Sequence, residues 1–343
     1  MRLISALDSW NGRGFTGPAL FAIDGDRLTL VDERMTDDRA AHPTSTTHIA
    51  GTLFPGFTDS HVHLGLVDPT LLAPGGIARV VDLGSDLDLV ARWAGADLLD
   101  VEYAGAFLTA AGGYPVGRDW APAASIREVM SARESAAAVD EMAVAGASLI
   151  KVVVNTAGPV WDDRMLHAVV RQAHDAGLPV VAHAEGAGQA MRAIRAGVDR
   201  LAHTPWTELL SDDEVHEAAE TCSWVSTLDI HGWGDRGAEF GVALDNLSRF
   251  AAASGHVLYG TDLGNGPLPV GINRRELAAL VAAGLAAEAV ISAIAPGPLQ
   301  GRVSIIPGPV SGDPSSHSTR AGLADWLSTA TVHSVLDLEE TFA

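Results

Sequence analysis

Six residues of metal-binding or reactive types stand at the ends of separate apolar runs of the sequence. Two histidines share the motif DSHVH, and a lysine, two further histidines and an aspartate belong to four later runs. Imidazole is the commonest neutral metal ligand and a carboxylate adds negative charge, so a set of this composition predicts a metal centre. The six residues are His61, His63, Lys151, His183, His203 and Asp262.

Lys151 is the only lysine in a chain that has 22 lysines and arginines together. It lies near the start of LIKVVVN, an apolar run that is typical of a buried strand. Burying an ammonium is costly unless it is paired or neutralised, and lysine loses its proton on burial far more readily than arginine does. The retained lysine therefore predicts a chemical role, although a lysine that extends its ammonium to the surface would explain the same position.

Each of the six residues also has an ordinary structural interpretation. A His-X-His pair can belong to an exposed strand, and His183 or His203 can be a hydrogen-bonded histidine of the core. Asp262 can be a turn residue or a helix N-cap, because Leu-Gly-Asn-Gly follows it. Their joint position favours a site, since one predicted strand carries Lys151 and the other five residues fall at the C-terminal ends of predicted strands. The other histidines mostly lie in predicted helices, turns or terminal segments.

The elements that position these residues alternate between short apolar runs and longer helical runs. Over residues 54–296 this alternation predicts an α/β fold with eight parallel strands, a (β/α)8 TIM barrel whose C-terminal strand ends meet at one mouth. A doubly wound open sheet is the alternative, but the first strand lacks the glycine-rich turn that such a sheet would carry. The predicted helices are 125–146, with Ser125 as its N-cap, 161–176, 186–197, 209–220 and 239–254.

The regions on either side of the barrel differ in character from it. Residues 1–53 show short strands joined by turns, and residues 297–343 contain short apolar runs and a segment rich in Pro, Gly and Ser. Neither region can bury a core alone, so we expect the two to pair. The predicted organisation is a barrel domain over 54–296 and a small β-rich composite domain made of 1–53 and 297–343.

The barrel segment, from GTLFPGFTDSHVHLG to YGTD, resembles the amidohydrolase superfamily of metal-dependent hydrolases. Within it, LIKVVVNTAG, VVAHAEG, RLAH and LYGTDLGN resemble the imidazolonepropionase-like and metal-dependent prolidase-type branch. The resemblance implies a small β-sandwich formed by the N- and C-terminal segments. It also implies that Lys151 is carboxylated by CO2 and that its carbamate bridges two divalent metal ions. Carried over, one metal would be held by His61, His63, Asp262 and Lys151, and the other by Lys151, His183 and His203.

A two-metal site of this kind predicts hydrolysis of an amide-type C–N bond. A metal-bridging hydroxide would attack the carbonyl, and Asp262 would accept the water's proton and deliver it to the leaving group. Zinc fits the ligand types best, although manganese, iron, cobalt and nickel could also fit. Two alternatives stay open on the same scaffold: a lactone or ester hydrolase, and an isomerase or lyase. A binding protein without activity is a third, and the intact ligand set argues against it.

Loops after four of the predicted strands supply candidate substrate contacts. Aromatic residues make up only 6% of the chain. Their concentration in these loops therefore predicts a partly apolar substrate such as an N-acyl amino acid, a dipeptide or a cyclic amide, although loop packing would explain each tryptophan equally well. Arg118 or Arg236 could clamp a substrate carboxylate, but surface charge is the simpler interpretation. The candidate contacts are Tyr114, Asn155, Trp206, His231 and Trp233.

Composition narrows the partners and the cellular location. The formal net charge of −21 argues against nucleic acid and anionic membrane surfaces, because both attract basic patches. A single cysteine, the lack of an apolar signal segment and the lack of a membrane-length apolar run indicate a cytoplasmic protein. We therefore expect a small-molecule substrate, no nucleic-acid partner and no membrane partner, and the sequence is compatible with a homo-oligomer.

Overall fold

The computed structural model describes residues 2–32, 46–308 and 320–342. Most of the segment rich in Pro, Gly and Ser lies outside these residues. None of the helices in the described part is long and apolar enough to cross a membrane.

The strands of the described part fall into two groups, one from the chain's terminal regions and one from the region between them. In chain order they are β1 (Arg2–Ser9), β2 (Ala19–Asp24), β3 (Arg27–Asp32), β4 (Thr46–Pro55), β5 (Thr58–Val62), β6 (Arg79–Asp82), β7 (Asp100–Tyr103), β8 (Phe107–Thr109), β9 (Ile126–Glu128), β10 (Ile150–Asn155), β11 (Val180–Glu185), β12 (Arg200–Leu201), β13 (Ser223–Val225), β14 (Val257–Leu258), β15 (Arg302–Pro307) and β16 (Thr331–Ser334).

The α-helices lie mostly between the central strands. In chain order they are α1 (Leu87–Ala94), α2 (Ala132–Val144), α3 (Asp163–Asp175), α4 (Gln189–Arg195), α5 (Asp212–Thr221), α6 (Ala238–Ala252), α7 (Arg274–Ala282), α8 (Ala287–Ile294), α9 (Arg320–Leu327) and α10 (Leu338–Phe342). The helices α3 to α6 agree with the predicted ranges to within a few residues. The helices α1, α7, α8, α9 and α10 are additional to the predicted ones.

The predicted start of the first long helix is wrong. Ser125 lies in a 3-10 turn, and β9 follows it directly and pairs in parallel with β8. The helix α2 begins only after Ser131, whose hydroxyl accepts a hydrogen bond from the backbone N–H of Glu134. The pairing of β9 with β8 determines the structure of the residues before Ser131. The sequence around Ser125 contains no pattern that predicts this pairing.

The central strands form two sheets in which all neighbouring strands are parallel. Three strands have the order β5-β6-β7, and seven have the order β14-β13-β12-β11-β10-β8-β9. Helices connect most of the consecutive strands, as parallel pairing requires. The predicted α/β class with parallel strands is confirmed.

Hydrogen bonds link the two central sheets at both edges. On one side the amide of Ser148, just before β10, donates to the carbonyl of Tyr103 at the end of β7 at 3.0 Å. On the other side the amide of Ser60 donates to the Tyr259 carbonyl at 2.9 Å, and the amide of His63 donates to the Leu263 carbonyl at 2.8 Å. The C-terminal ends of β5 and β14 therefore lie side by side.

The strand β10 is buried on both faces, which explains its nearly continuous apolar sequence. Residues 150, 152 and 154 pack into the large outer core between strands and helices. The alternate positions point to the inner face, where Leu149 joins a small apolar cluster and Lys151 and Val153 line a cavity. The two-residue period of the strand thus places the single lysine on the inner face.

Strands from both terminal regions form one six-stranded sheet with the order β16-β15-β4-β1-β2-β3. The strand β4 pairs in parallel with β1 and antiparallel with β15, so the two terminal regions share hydrogen bonds. They also share an apolar core, to which Val335 and Leu338 contribute from the C-terminal region. The described strands lie in one sheet, and the two-layered sandwich stays a prediction.

Candidate metal centre

The six residues of the predicted metal centre all line one cavity of about 330 Å³. The cavity lies at the C-terminal ends of the parallel strands. The six side chains come from β5 (His61, with His63 just after it), β10 (Lys151), β11 (His183) and the segments that follow β12 (His203) and β14 (Asp262).

Two imidazoles and one carboxylate meet at a single point in this cavity. The Nε2 atoms of His61 and His63 each lie 3.1 Å from the same oxygen, Oδ1 of Asp262. All three residues are buried, and their ligand atoms lie within 4.8 Å of one another. A group of this geometry and composition could hold a metal ion.

The opposite nitrogens of the two rings show why this point suits a cation. Nδ1 of His61 lies 2.8 Å from the Ala202 carbonyl, and Nδ1 of His63 lies 3.0 Å from the Gly84 carbonyl. Because a carbonyl can only accept, each Nδ1 must carry a proton, and a neutral ring then presents a lone pair at Nε2. Nε2 of His61 has no hydrogen-bond partner in the described part of the chain. Lone pairs that face a carboxylate oxygen need a positive charge between them.

The pKa values of these three residues reflect the same need for a positive charge. Burial lowers the pKa of His61 well below its usual value. Burial also acts to lower the pKa of His63, but the hydrogen bond and the charge of Asp262 outweigh it and raise that pKa. Burial alone would raise the pKa of Asp262, but the facing histidines hold it well below its usual value. The carboxylate of Asp262 thus favours a positive charge at this point.

Lys151 lies on the inner face of β10 with only 1% of its surface exposed. Burial lowers the pKa of its amine to about 7, against the opposing charges of Asp262 and Asp82. Its neighbours on the flanking strands are Phe107 and Val181, so its position is set by regular parallel pairing. A neutral amine is therefore available in this cavity near neutral pH.

His183 and His203 complete a row of imidazoles with His61. The ring centroids of His61 and His203 are 4.7 Å apart, and those of His203 and His183 are 5.0 Å apart. Nδ1 of His203 lies 3.0 Å from the Thr227 hydroxyl, which leaves Nε2 as a ligand atom. Nε2 of His183 lies 3.2 Å from the Glu185 carboxylate, which leaves Nδ1. Burial lowers the pKa of both rings, so both are neutral at neutral pH.

Comparison with known proteins was made for the sequence and for the structure. No protein-family model and no curated protein matches the sequence. A Xaa-Pro dipeptidase with bound methionine matches the structure with a TM-score of 0.74 at 18% identity, over 97% of this chain and 100% of that one. The ochratoxinase of A. niger matches with a TM-score of 0.74 at 18% identity, over 97% and 94% of the two chains. A structure described as an amidohydrolase matches with a TM-score of 0.68 at 19% identity, over 94% and 96%.

The chain has an amidohydrolase-type fold. At these identities the similarity establishes the fold, and the predicted resemblance to the amidohydrolase superfamily is confirmed at that level.

Two of the five predicted substrate contacts line the cavity of this amidohydrolase-type fold. The ring of Tyr114 stacks on that of His183, with centroids 5.5 Å apart and an angle of 21° between the planes. The ring of Trp206 meets that of His203 edge-on at 5.3 Å. Both aromatic rings therefore form part of the wall that faces the predicted metal ligands.

The other three predicted contacts are not among the described residues that line the cavity. Asn155 is buried and its amide donates to a neighbouring carboxylate. The ring of His231 packs on that of Trp206 at 5.0 Å. Trp233 is 42% exposed, and its indole N–H donates to a backbone carbonyl at 3.2 Å. These residues support the lining, and a direct contact with substrate stays a prediction for each of them.

Glu185 and Trp120 are two of the lining residues that are absent from the predicted set. Glu185 follows His183 by two residues in β11, so the period of a strand places both side chains on one face, and that spacing is a usable signal. Trp120 lies in the loop after β8, and its ring centroid is 6.4 Å from that of His63. The sequence of the loop gives no indication that this residue, and not another aromatic one, reaches the cavity.

Asp59 supports the ligand residues from behind and is also absent from the predicted set. Its carboxylate accepts hydrogen bonds from the backbone amide of His61 and from both the amide and the hydroxyl of Thr261. It thereby ties β5 to the segment that carries Asp262. Asp262 itself has a φ of 56°, in the left-handed region that aspartate tolerates better than most residues.

Neither of the two arginines that could clamp a substrate carboxylate lines the cavity. The guanidinium carbon of Arg118 lies 5.5 Å from the ring centroid of Tyr114, and that of Arg236 lies 5.1 Å from the ring centroid of Phe240. Both arginines are exposed. Their placement agrees with the interpretation as surface charge.

Proposed function

We propose that this chain is a metal-dependent hydrolase that cleaves an amide-type C–N bond. The observation that carries the proposal is the convergence of His61 Nε2 and His63 Nε2 on one oxygen of Asp262. A core built for packing alone does not bury three acceptor atoms against one another. The fold gives further support, since it is shared with structures described as a Xaa-Pro dipeptidase and an ochratoxinase.

The donor set fits two divalent cations. Each of the four histidines has one ring nitrogen engaged by a hydrogen-bond partner and leaves the other as a ligand atom, an arrangement that is usual for metal-bound histidines. Imidazole and carboxylate ligands suit zinc, which is the metal that we propose. One cation would be held by His61, His63, Asp262 and Lys151, and the other by Lys151, His183 and His203.

Lys151 is the residue that the two cations would share. Its buried amine, with a pKa of about 7, is neutral in a large fraction of molecules near neutral pH. A neutral amine adds CO2 by forming a C–N bond and losing one proton, which gives an anionic carbamate. We include this carboxylation in the proposal because an ammonium at this position would repel both cations.

The chain's own residues supply the base and the walls of the site. When bound, the cations would polarise the substrate carbonyl and lower the pKa of a water molecule. The ionised carboxylate of Asp262 accepts a proton from water and delivers it to the leaving nitrogen. The side-chain amide of Asn265 donates to Oδ2 of Asp262 at 2.9 Å and so orients this base. The rings of Tyr114 and Trp206 restrict the access of bulk water to the carboxylate.

The proposal extends to the finer architecture. The hydrogen bonds between β5 and the segment after β14, and the closeness of β7 and β8 in the chain, support a closed (β/α)8 barrel over 54–296. The six-stranded sheet supports a β-rich composite domain of 1–53 and 297–343 as one layer of the predicted sandwich.

Metal analysis combined with an amide screen tests the proposed function. Protein purified without chelator should contain about two divalent ions per chain and should hydrolyse an N-acyl amino acid, a dipeptide or a cyclic amide. Chelation should abolish the hydrolysis, and added zinc or manganese should restore it. Negligible metal content, together with no hydrolysis after metal is added, would refute the proposal.

A further inference from the structure

Glu185 is a carboxylate that lines the cavity outside the predicted ligand set. Its side chain is 36% exposed, so it faces the open part of the cavity. Both of its polar contacts involve Oε2, which lies 2.7 Å from Nδ2 of Asn155 and 3.2 Å from Nε2 of His183. The other oxygen, Oε1, makes no hydrogen bond within the described part of the chain and is available to a ligand.

The wall around Glu185 offers aromatic rings and no positive side chain outside the predicted metal centre. No arginine is among the described residues that line the cavity, and Lys151 is the chain's only lysine. Apart from the metal ligands, a charged substrate group in this cavity therefore meets one negative side chain. The apolar and aromatic lining consists of Leu66, Phe107, Tyr114, Trp120, Val153, Trp206 and Ile230.

We propose that the cavity selects amides that carry a protonated amine, bound at Glu185, over amides that carry a carboxylate. This inference rests on the proposed amide hydrolase and adds the substrate class to it. The N–H groups of the ammonium donate to Oε1 in charge-assisted hydrogen bonds, and the faces of Tyr114 and Trp206 add an attraction for cations.

The position of Glu185 also limits the distance between the amine and the scissile bond. Glu185 contacts His183, a predicted ligand of the second cation, so an amine held by Oε1 lies close to the carbonyl that is to be cleaved. Substrates with one or two carbons between the amine and the carbonyl satisfy both contacts. The class is therefore that of short amino-acid amides and the N-terminal ends of peptides.

Three matched amides test this inference by their binding at neutral pH. They are the N-benzylamide of β-alanine, the N-benzylamide of butanoic acid and the mono-N-benzylamide of succinic acid, which end in an ammonium, a methyl group and a carboxylate. Titration calorimetry on the metal-loaded protein gives dissociation constants, and kcat and KM are measured separately for any amide that is cleaved. We expect the ammonium compound to bind roughly 10- to 100-fold more tightly than the neutral one, the range for a charged hydrogen bond, and the carboxylate compound to bind most weakly.

Three variants identify the residue responsible. Glu185→Gln keeps an oxygen acceptor for Asn155 and removes the charge, so the ratio of the ammonium to the neutral affinity should fall close to one. Glu185→Asp keeps the charge and should retain part of the preference. Glu288→Gln removes the same charge from an exposed position on α8 and should leave the ratio at its wild-type value. The ratio is taken within one protein, so a general loss of affinity does not affect it.

Two results would overturn the inference. One is an ammonium compound that binds no better than the neutral compound to the wild-type protein. The other is a preference that persists unchanged in Glu185→Gln. Binding is read out whether or not an amide is cleaved, so a protein that shows the preference without hydrolysing any amide would refute the proposed function and leave the charge selection standing. Hydrolysis of an amide without this preference would support the proposed function and refute the charge selection.

Discussion

Replacement of Lys151 by arginine tests how the inner face of β10 tolerates a charge. Burial lowers the pKa of the lysine from 10.5 to about 7. Since one pKa unit corresponds to about 1.36 kcal/mol, the buried ammonium is destabilised by about 5 kcal/mol relative to the neutral amine. This cost is relieved only as the pH rises towards 10.5, where the lysine is neutral in the folded chain and begins to be neutral in the unfolded one, whereas arginine stays charged. Lys151→Arg should therefore have nearly the wild-type free energy of unfolding below about pH 7 and a value several kcal/mol lower near pH 10.5, out of a typical total of about 5–15 kcal/mol.

Urea unfolding of the chelator-treated protein as a function of pH measures this effect. The pKa of Lys151 is lower in the folded than in the unfolded chain, so between about pH 7 and 10.5 the unfolded chain binds more protons. The contribution of Lys151 to the free energy of unfolding must then rise with pH across that window, and it must be lowest below about pH 7. Lys151→Met, an uncharged side chain of similar length, should lack the rise and be at least as stable as the wild type at pH 7.

A Lys151→Arg protein as stable as the wild type near pH 10.5 would refute the reasoning, because it would show that the cation reaches solvent. The same conclusion would follow if the wild type and Lys151→Met showed the same dependence of stability on pH. Other groups titrate in this range, so the difference between the two proteins is the relevant quantity.

Three further predictions concern the site and its support. Asp262→Asn keeps an oxygen ligand without a base, so turnover should fall roughly 10²–10⁴-fold while metal analysis still finds most of the metal; near wild-type turnover would assign the proton transfer elsewhere. Lys151→Ala should lose metal and activity, and acetate or propionate should partly restore both in a rescue assay; an active, metal-replete Lys151→Ala protein would end the carbamate hypothesis. Glu276 is buried in α7 and accepts hydrogen bonds from the backbone amides of Leu228 and Asp229 in the segment after β13. Burial raises its pKa to about 7, so its contribution to stability is present below about pH 4.5 and is lost as the pH rises through 7. Glu276→Gln should show a smaller loss in urea unfolding between these values, and equal losses would contradict the assignment.

The residues of the candidate site were largely predictable because parallel strands impose a common direction on them. Each predicted ligand is in a strand or follows one within four residues, and the ends of parallel strands meet at one edge. The inward position of Lys151 follows from the two-residue period alone, since the residues at 150, 152 and 154 are apolar and pack outward. Such signals depend only on neighbouring residues of the sequence, so they can be read without knowledge of the tertiary structure.

What could not be predicted depends on contacts between distant segments. The pairing of β9 with β8 moved the start of α2 from Ser125 to Ser131. The hydrogen bonds between Thr261 and Asp59 join residues 202 positions apart, and no sequence pattern near either residue predicts them. Trp120 reaches the cavity because of the path that its loop follows, and the periodicity of helices and strands gives no information about that path. The helices α1, α7 and α8 are short, with eight or nine residues each, and offer little repeat to detect.

The two carbonyls that orient His61 and His63 belong to the main chain, and this has a consequence for divergence among related chains. Nearly any residue at position 202 supplies the same carbonyl, so the orientation of His61 is insensitive to substitution there. Position 84 is less free, because a Cβ would lie 2.1 Å from the ring of Phe107 and the backbone has a φ of 147°. Ring orientation that depends on backbone atoms can persist while most side chains change. This way of orienting a ring therefore makes few demands on sequence, in a fold that other chains adopt at a sequence identity of 18%.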